Sequence, residues 1–144
     1  MSVLPPRVTS DPLRLSLVLV AAVTVLSGVV QLVAPGLVLG LLSADSTTTT
    51  RHLFATVGMF MAVVGGLLAH ALVTAAPPPY LLQWAGAQKF CAFALVGVGV
   101  ARGLFGPSAL LVAVFDLATA VLCWLMWRRL VHRGRAPRAA GAGV

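Results

Sequence analysis

The sequence predicts an all-α integral membrane protein, a four-helix up-down bundle with its N- and C-termini in the cytoplasm. Three observations lead there. Of 144 residues, 60% are hydrophobic and only 9% charged, whereas a soluble domain carries about 25% charged residues. The apolar residues gather into four runs, each near the ~20 residues that a helix needs to cross hydrocarbon. Five arginines (Arg128, Arg129, Arg133, Arg135 and Arg138) crowd behind the last run, where the positive-inside rule places a cytoplasmic tail. A single domain is expected at this length, with a cytoplasmic segment 1–13, a transmembrane domain 14–130 and a basic, disordered tail 131–144.

The first apolar run is interrupted only by Thr24, Ser27 and Gln31 and is broken at Pro35-Gly36. It predicts a spanning helix over 15–34 and a short interfacial segment over 37–42. Arg7 and Arg14 ahead of it also suit a signal peptide, but the run exceeds the 7–15 residues of such a core and no A-x-A site follows. The segment SADSTTTT (43–50) is polar and reads as the first loop, its hydroxyls available to cap the next helix. That helix is expected over 52–75, ended by Pro77-Pro78-Pro79, since proline lacks an amide donor and disfavours helix in the residue before it. A third helix over 80–102 and a fourth over 108–127 are separated by the turn Gly103 to Pro107. Trp84, Tyr80, Trp124 and Trp127 then serve as interfacial anchors on the cytoplasmic side, and only Arg51 and Arg102 remain near the opposite face.

Lys89 and Asp116 stand well inside apolar helices, where an isolated charge costs about 2.5–3.5 kcal/mol even on the lenient insertion scale. In antiparallel neighbours their depths differ by only about 3 Å at ~1.5 Å per residue, so they are expected to meet as an intramembrane pair. Such a pair is either a proton-active or ligand-gripping site or an interhelical ion pair fixing the packing, with Gln88 and Thr119 as supporting hydrogen-bond partners. His70 has no second metal ligand at a suitable spacing and reads as a packing residue with a possible acid–base role.

Thr24, Ser27 and Gln31 fall on one helix face with Gly28 beside them, a polar stripe turned toward protein. Gly58, Ala62 and Gly66 repeat at intervals of four, a small-residue face for close helix approach to an internal neighbour or a second copy. Arg51, His52 and Arg102 share one end of the bundle and either hold an anionic group or snorkel. Cys91 and Cys123 lie in apolar runs and behave as small hydrophobes.

The net charge of +7 is a juxtamembrane cluster suited to anionic lipid at the C-terminal tail, and no nucleic acid is expected as a partner. There is no glutamate, no HExxH, no phosphate-binding glycine loop and no CxxC, so no catalytic residue, metal or cofactor is assigned.

The patterns SGVVQLVAPGLVLGLL (27–42), RHLFATVGMFMAVVGG (51–66) and VARGLFG (100–106) resemble the DoxX-like superfamily of small four-helix bacterial membrane proteins. The resemblance spans about three quarters of the chain. It implies the up-down bundle and, in some relatives, association with quinone-linked or sulfur-redox systems or with envelope stress, and it implies no catalytic residue. The Ala, Val, Leu, Gly and Arg preference looks bacterial.

The function expected first is that of a small multi-pass accessory or structural protein of the inner (plasma) membrane. It would act through helix contacts in the bilayer, as a homo-oligomer or with a membrane-protein partner. Two alternatives are a proton-coupled small-molecule transporter using Lys89 and Asp116, and a membrane enzyme or binder of an isoprenoid, quinone or sterol-like lipid. The last requires a lipid-sized pocket, open to the bilayer, that includes those side chains.

Overall fold

The computed structural model describes Val8 and residues 10–74 and 77–135. Among them lie α1 (Pro12–Val33), α2 (Pro35–Leu41), α3 (Thr48–Thr74), α4 (Pro79–Ala101) and α5 (Ala109–Arg135), with no strand. Four of these, all but α2, are long and apolar enough to cross a membrane.

The element ends follow from local chemistry. Asp11 caps α1 by accepting from the Leu13 and Arg14 amides, with Pro12 in the first turn where no donor is missed. Ala34 precedes Pro35 and leaves the helical region, which ends α1. Pro35 then opens α2, a separate seven-residue helix covering most of the expected interfacial segment. The threonine run does not stay in the loop: Thr47 Oγ1 accepts from the Thr50 amide at 3.2 Å, so α3 begins four residues before the expected start at 52. Arg102 and Gly103 close α4 as a Schellman turn. Gly103 takes φ +71°, its amide bonds Val100 O, and the Leu104 amide bonds Gly99 O.

The fourth spanning helix runs past the expected end at 127 to Arg135. Residues 131–135, assigned to a disordered tail on composition, are therefore helical. Leu130 packs on the core, and Arg129 Nη1 stands 2.8 Å from both carboxylate oxygens of Asp11 across 118 residues of sequence. The rest of the tail, 136–144, lies outside the described residues. The Asp11–Arg129 contact puts the start of α1 and the end of α5 at one end of the molecule.

The long helices associate as two antiparallel pairs. In the first, Gly28 of α1 meets Gly58 and Ala62 of α3, and further along Gly65 meets Thr24 and Ala21. The second pair joins α4 to α5, where Gly86 faces Cys123 and Ala120. Contact between the pairs is sparser and runs through α1 with α5 and α3 with α4. It is concentrated at the termini-bearing end. There Leu17, Ala21, Leu68, Leu72, Leu82, Ala85, Cys123 and Met126 form one buried cluster drawn from all four long helices. Arg14 strengthens this end by donating from Nε at 2.6 Å and from Nη2 to Leu72 O, a carbonyl in the last turn of α3 with no helical partner.

Candidate functional site: a half-hollow bundle with an ion pair at its floor

Toward the opposite end the two pairs stand apart and enclose a cavity of about 590 Å³, within the 300–1,000 Å³ usual for small-molecule sites. Its walls come from every helix. Thr24, Ser27 and Gln31 of α1, Phe54 and Met61 of α3, Ala92 and Val96 of α4 and Val112 and Phe115 of α5 all line it. The roof is Val38 of α2, Leu42 and Phe105. Phe105 is seated there because Gly99 has no side chain: a Cβ at Gly99 would stand 2.5 Å from the phenyl ring. Two bonds fasten the roof, from the Gly106 amide to Leu42 O at 2.7 Å and from Ser108 Oγ to Leu41 O at 2.9 Å.

Lys89 and Asp116 line this cavity and are its only charged groups among the described residues. Lys89 Nζ lies 2.6 Å from Asp116 Oδ1, with both side chains under one-tenth exposed. The ammonium also sits 5.4 Å from the centre of the Phe115 ring, which supplements one carboxylate with an aromatic face. Lys89 is one helical turn beyond Ala85 of the packed cluster, and Thr24 is about one turn beyond Ala21. The ion pair and Thr24 therefore mark the level at which packing gives way to space.

Thr24 is 4% exposed, and its Oγ1 is the one buried side-chain N or O atom without a hydrogen-bond partner among the described residues. Elsewhere the helical threonines Thr56, Thr74 and Thr119 donate to the carbonyl four residues back. Gln31, two turns along α1 from Thr24 and 6% exposed, donates from Nε2 to Phe54 O at 3.0 Å, leaving its amide oxygen as an acceptor.

The cavity is most open between α1 and α5, where the lining residues Leu26 and Leu111 are 65% and 77% exposed, and Val57 of α3, also in the lining, is 50% exposed. Both flanks of the opening are aliphatic, so it faces the hydrocarbon that surrounds a spanning helix. A second, more open groove of about 460 Å³ runs along α4 and α5 between Leu82, Phe90, Trp124 and Trp127. It has no charged lining and is ordinary lipid-facing relief.

The other sequence candidates are distributed differently. Gln88 is half-buried and bonds neither member of the pair, and Thr119 Oγ1 donates to Phe115 O at 2.7 Å rather than to Asp116. His70 is exposed and outside the cavity lining. Arg51 Nε donates to Ser46 Oγ at 2.7 Å and lies against Gly36. His52 and Arg102 are exposed, and among the described residues no hydrogen bond or ion pair ties either of them to Arg51. Within the small-residue face, Gly58 and Ala62 are engaged by Gly28, but a Cβ at Gly66 would meet nothing within 4 Å. Gly65 takes that contact in its place. The described residues include no group of three or more His, Cys, Asp or Glu able to hold a metal.

Asp11, outside the membrane-spanning segments, belongs to the opposite end. Burial raises its pKa, but the hydrogen bonds from Arg129 and from the Arg14 and Leu13 amides, with the Arg129 charge, outweigh that and hold the carboxyl below its ordinary 3.8. No family model, curated protein or solved structure matches this chain.

Proposed function

We propose that this protein is a multi-pass membrane protein that binds an isoprenoid, quinone or sterol-like lipid between its two helix pairs. In this reading a largely apolar molecule enters from the bilayer between α1 and α5 and brings its polar end to Lys89 and Asp116. One observation carries the reading: a cavity of about 590 Å³, largely apolar along its walls and mouth, has at its deep end the only charged pair that lines it among the described residues. Ligand sites of this kind combine a mostly hydrophobic lining with a few placed polar groups. An intramembrane ionisable pair beside a cavity is also where function is expected.

Two expectations weaken on the same grounds. The small-residue face, the mainstay of an accessory role through helix contacts, is spent inside the chain on Gly28. A proton-coupled carrier needs a path on both sides of the ion pair, and the cluster around Leu17, Leu72 and Leu82 fills the side toward the termini. Part of the same proposal are cytoplasmic termini in a bacterial inner membrane, argued from the Arg-rich end, and the DoxX-like kinship, argued from the quoted segments.

The test compares lipids that copurify with the wild type and with Ala92→Phe, which fills the cavity, after mild detergent extraction and mass spectrometry. A single lipid class enriched over the bulk extract and lost in Ala92→Phe at unchanged helicity and melting temperature is the expected result. Bulk lipid composition in both samples would overturn the proposal.

A further inference from the structure

The polar groups at the cavity floor define what head group they can receive. Lys89 has three N–H donors and uses one on Asp116. Thr24 Oγ1 has no partner, so it has one donor and two acceptor sites to offer. Every other charged side chain among the described residues lies outside the lining, so the floor they form is neutral as a whole.

An anionic head would add an uncompensated negative charge to this neutral buried pair, and a cationic head an uncompensated positive one. A plain hydrocarbon would leave the spare Lys89 donors and the Thr24 hydroxyl unsatisfied. A hydroxyl meets all three conditions and, where a carbonyl could only accept, also has a proton to give. Its oxygen accepts from Lys89, its proton goes to Thr24 or to the carboxylate, and the ion pair stays whole.

We infer that the ligand is an uncharged lipid alcohol, its hydroxyl seated between Lys89 and Thr24 and its apolar body running toward Gln31 and the Phe105 roof. This rests on the cavity being a lipid site. The distance from Thr24 to Gln31 along α1 is about 10.5 Å, and Gln31 gives the body of the molecule a second polar station with an open acceptor. An alcohol with a second donor group about two helical turns from the first is the best fit.

Four probes with different ends test this: farnesol, farnesoic acid and farnesyl phosphate on one unsaturated chain, and the saturated hydrocarbon farnesane of the same branching. Each competes against tritiated farnesol on the full chain in nanodiscs, for the wild type, Thr24→Val and Ala92→Phe. Thr24→Val keeps the side-chain shape and removes only the hydroxyl. Farnesol is expected to bind most tightly to the wild type and to weaken about threefold to tenfold in Thr24→Val, the range of one neutral hydrogen bond. Farnesane is expected to be unaffected by that change.

Tighter binding of the acid or the phosphate would overturn the inference in favour of an anionic head group. Equal binding of farnesol and farnesane would overturn it while the lipid site itself stands, provided Ala92→Phe blocks both. Farnesol binding that Ala92→Phe leaves unchanged, or no specific binding at all, would overturn the site and the inference together.

Discussion

Gly28 and Gly58 meet backbone to backbone: a Cβ on either residue would stand 2.6 Å from the carbonyl oxygen of the other. Alanine normally stabilises a helix interior relative to glycine by about 0.5–1 kcal/mol, and here the sign is reversed. Gly28→Ala and Gly58→Ala should each destabilise the protein by about 1–3 kcal/mol through overpacking. Gly66→Ala, at a position with nothing within 4 Å, should instead give the ordinary gain. Thermal unfolding of the three variants in one detergent on a Cys91→Ala background, which removes the exposed thiol, followed by labelling of the fully buried Cys123, checks both signs.

Breaking the Lys89–Asp116 pair from one side leaves the other charge buried. Lys89→Met and Asp116→Leu should each cost about 3–5 kcal/mol, and the double variant should recover most of that loss. Chemical unfolding of all four proteins measures the coupling. Additive losses would mean that the two groups do not support each other.

The Asp11–Arg129 contact should make the termini-bearing end sensitive to acid. A carboxyl with a lowered folded pKa stabilises the fold above its unfolded value and loses that contribution as pH falls through the folded one. The wild type should therefore be more stable than Asp11→Asn at pH 7 and converge with it below the ordinary value of 3.8. With Arg129 more than one-third exposed, solvent screening limits the difference to about 1 kcal/mol or less. Melting temperatures of both proteins from pH 7 to pH 3 check the convergence.

At Gly99 the neighbour is a ring rather than a backbone. Gly99→Ala would push Phe105 from its seat, since a Cβ there stands 2.5 Å from the ring. The expected outcome is a faster off-rate for any cavity ligand with a loss of stability of about 1–3 kcal/mol, measured by dissociation of tritiated farnesol and by thermal unfolding.

The spans and the ion pair were legible because each rests on one local quantity: runs of apolar side chains, and depth counted from a helix end. Lys89 lies about nine residues from the termini-side end of the expected third helix and Asp116 about eleven from that of the fourth, so antiparallel counting alone brings them level. Helix ends were less legible, because Thr47 and Asp11 act through single side-chain bonds that composition does not reveal. Gly66 was assigned by its interval of four, but at 100° per residue eight steps from Gly58 drift about 80° off the contact face, whereas seven steps to Gly65 drift only about 20°. The cavity could not be read at all. It depends on which helices pair tightly, and that depends on backbone approach at Gly28, Gly58 and Gly86 across long stretches of sequence.

The uneven packing also has a mechanical consequence. The long helices work as the two arms of a pair of tongs, riveted where Leu17, Leu72, Leu82 and Met126 interlock and where Asp11 grips Arg129. Spreading the free tips would widen the chamber without parting either arm, and the hydrogen bonds it would stretch are those of Gly106 to Leu42 and Ser108 to Leu41. In the proposed lipid site, admission of a guest would thereby be separated from the integrity of the scaffold.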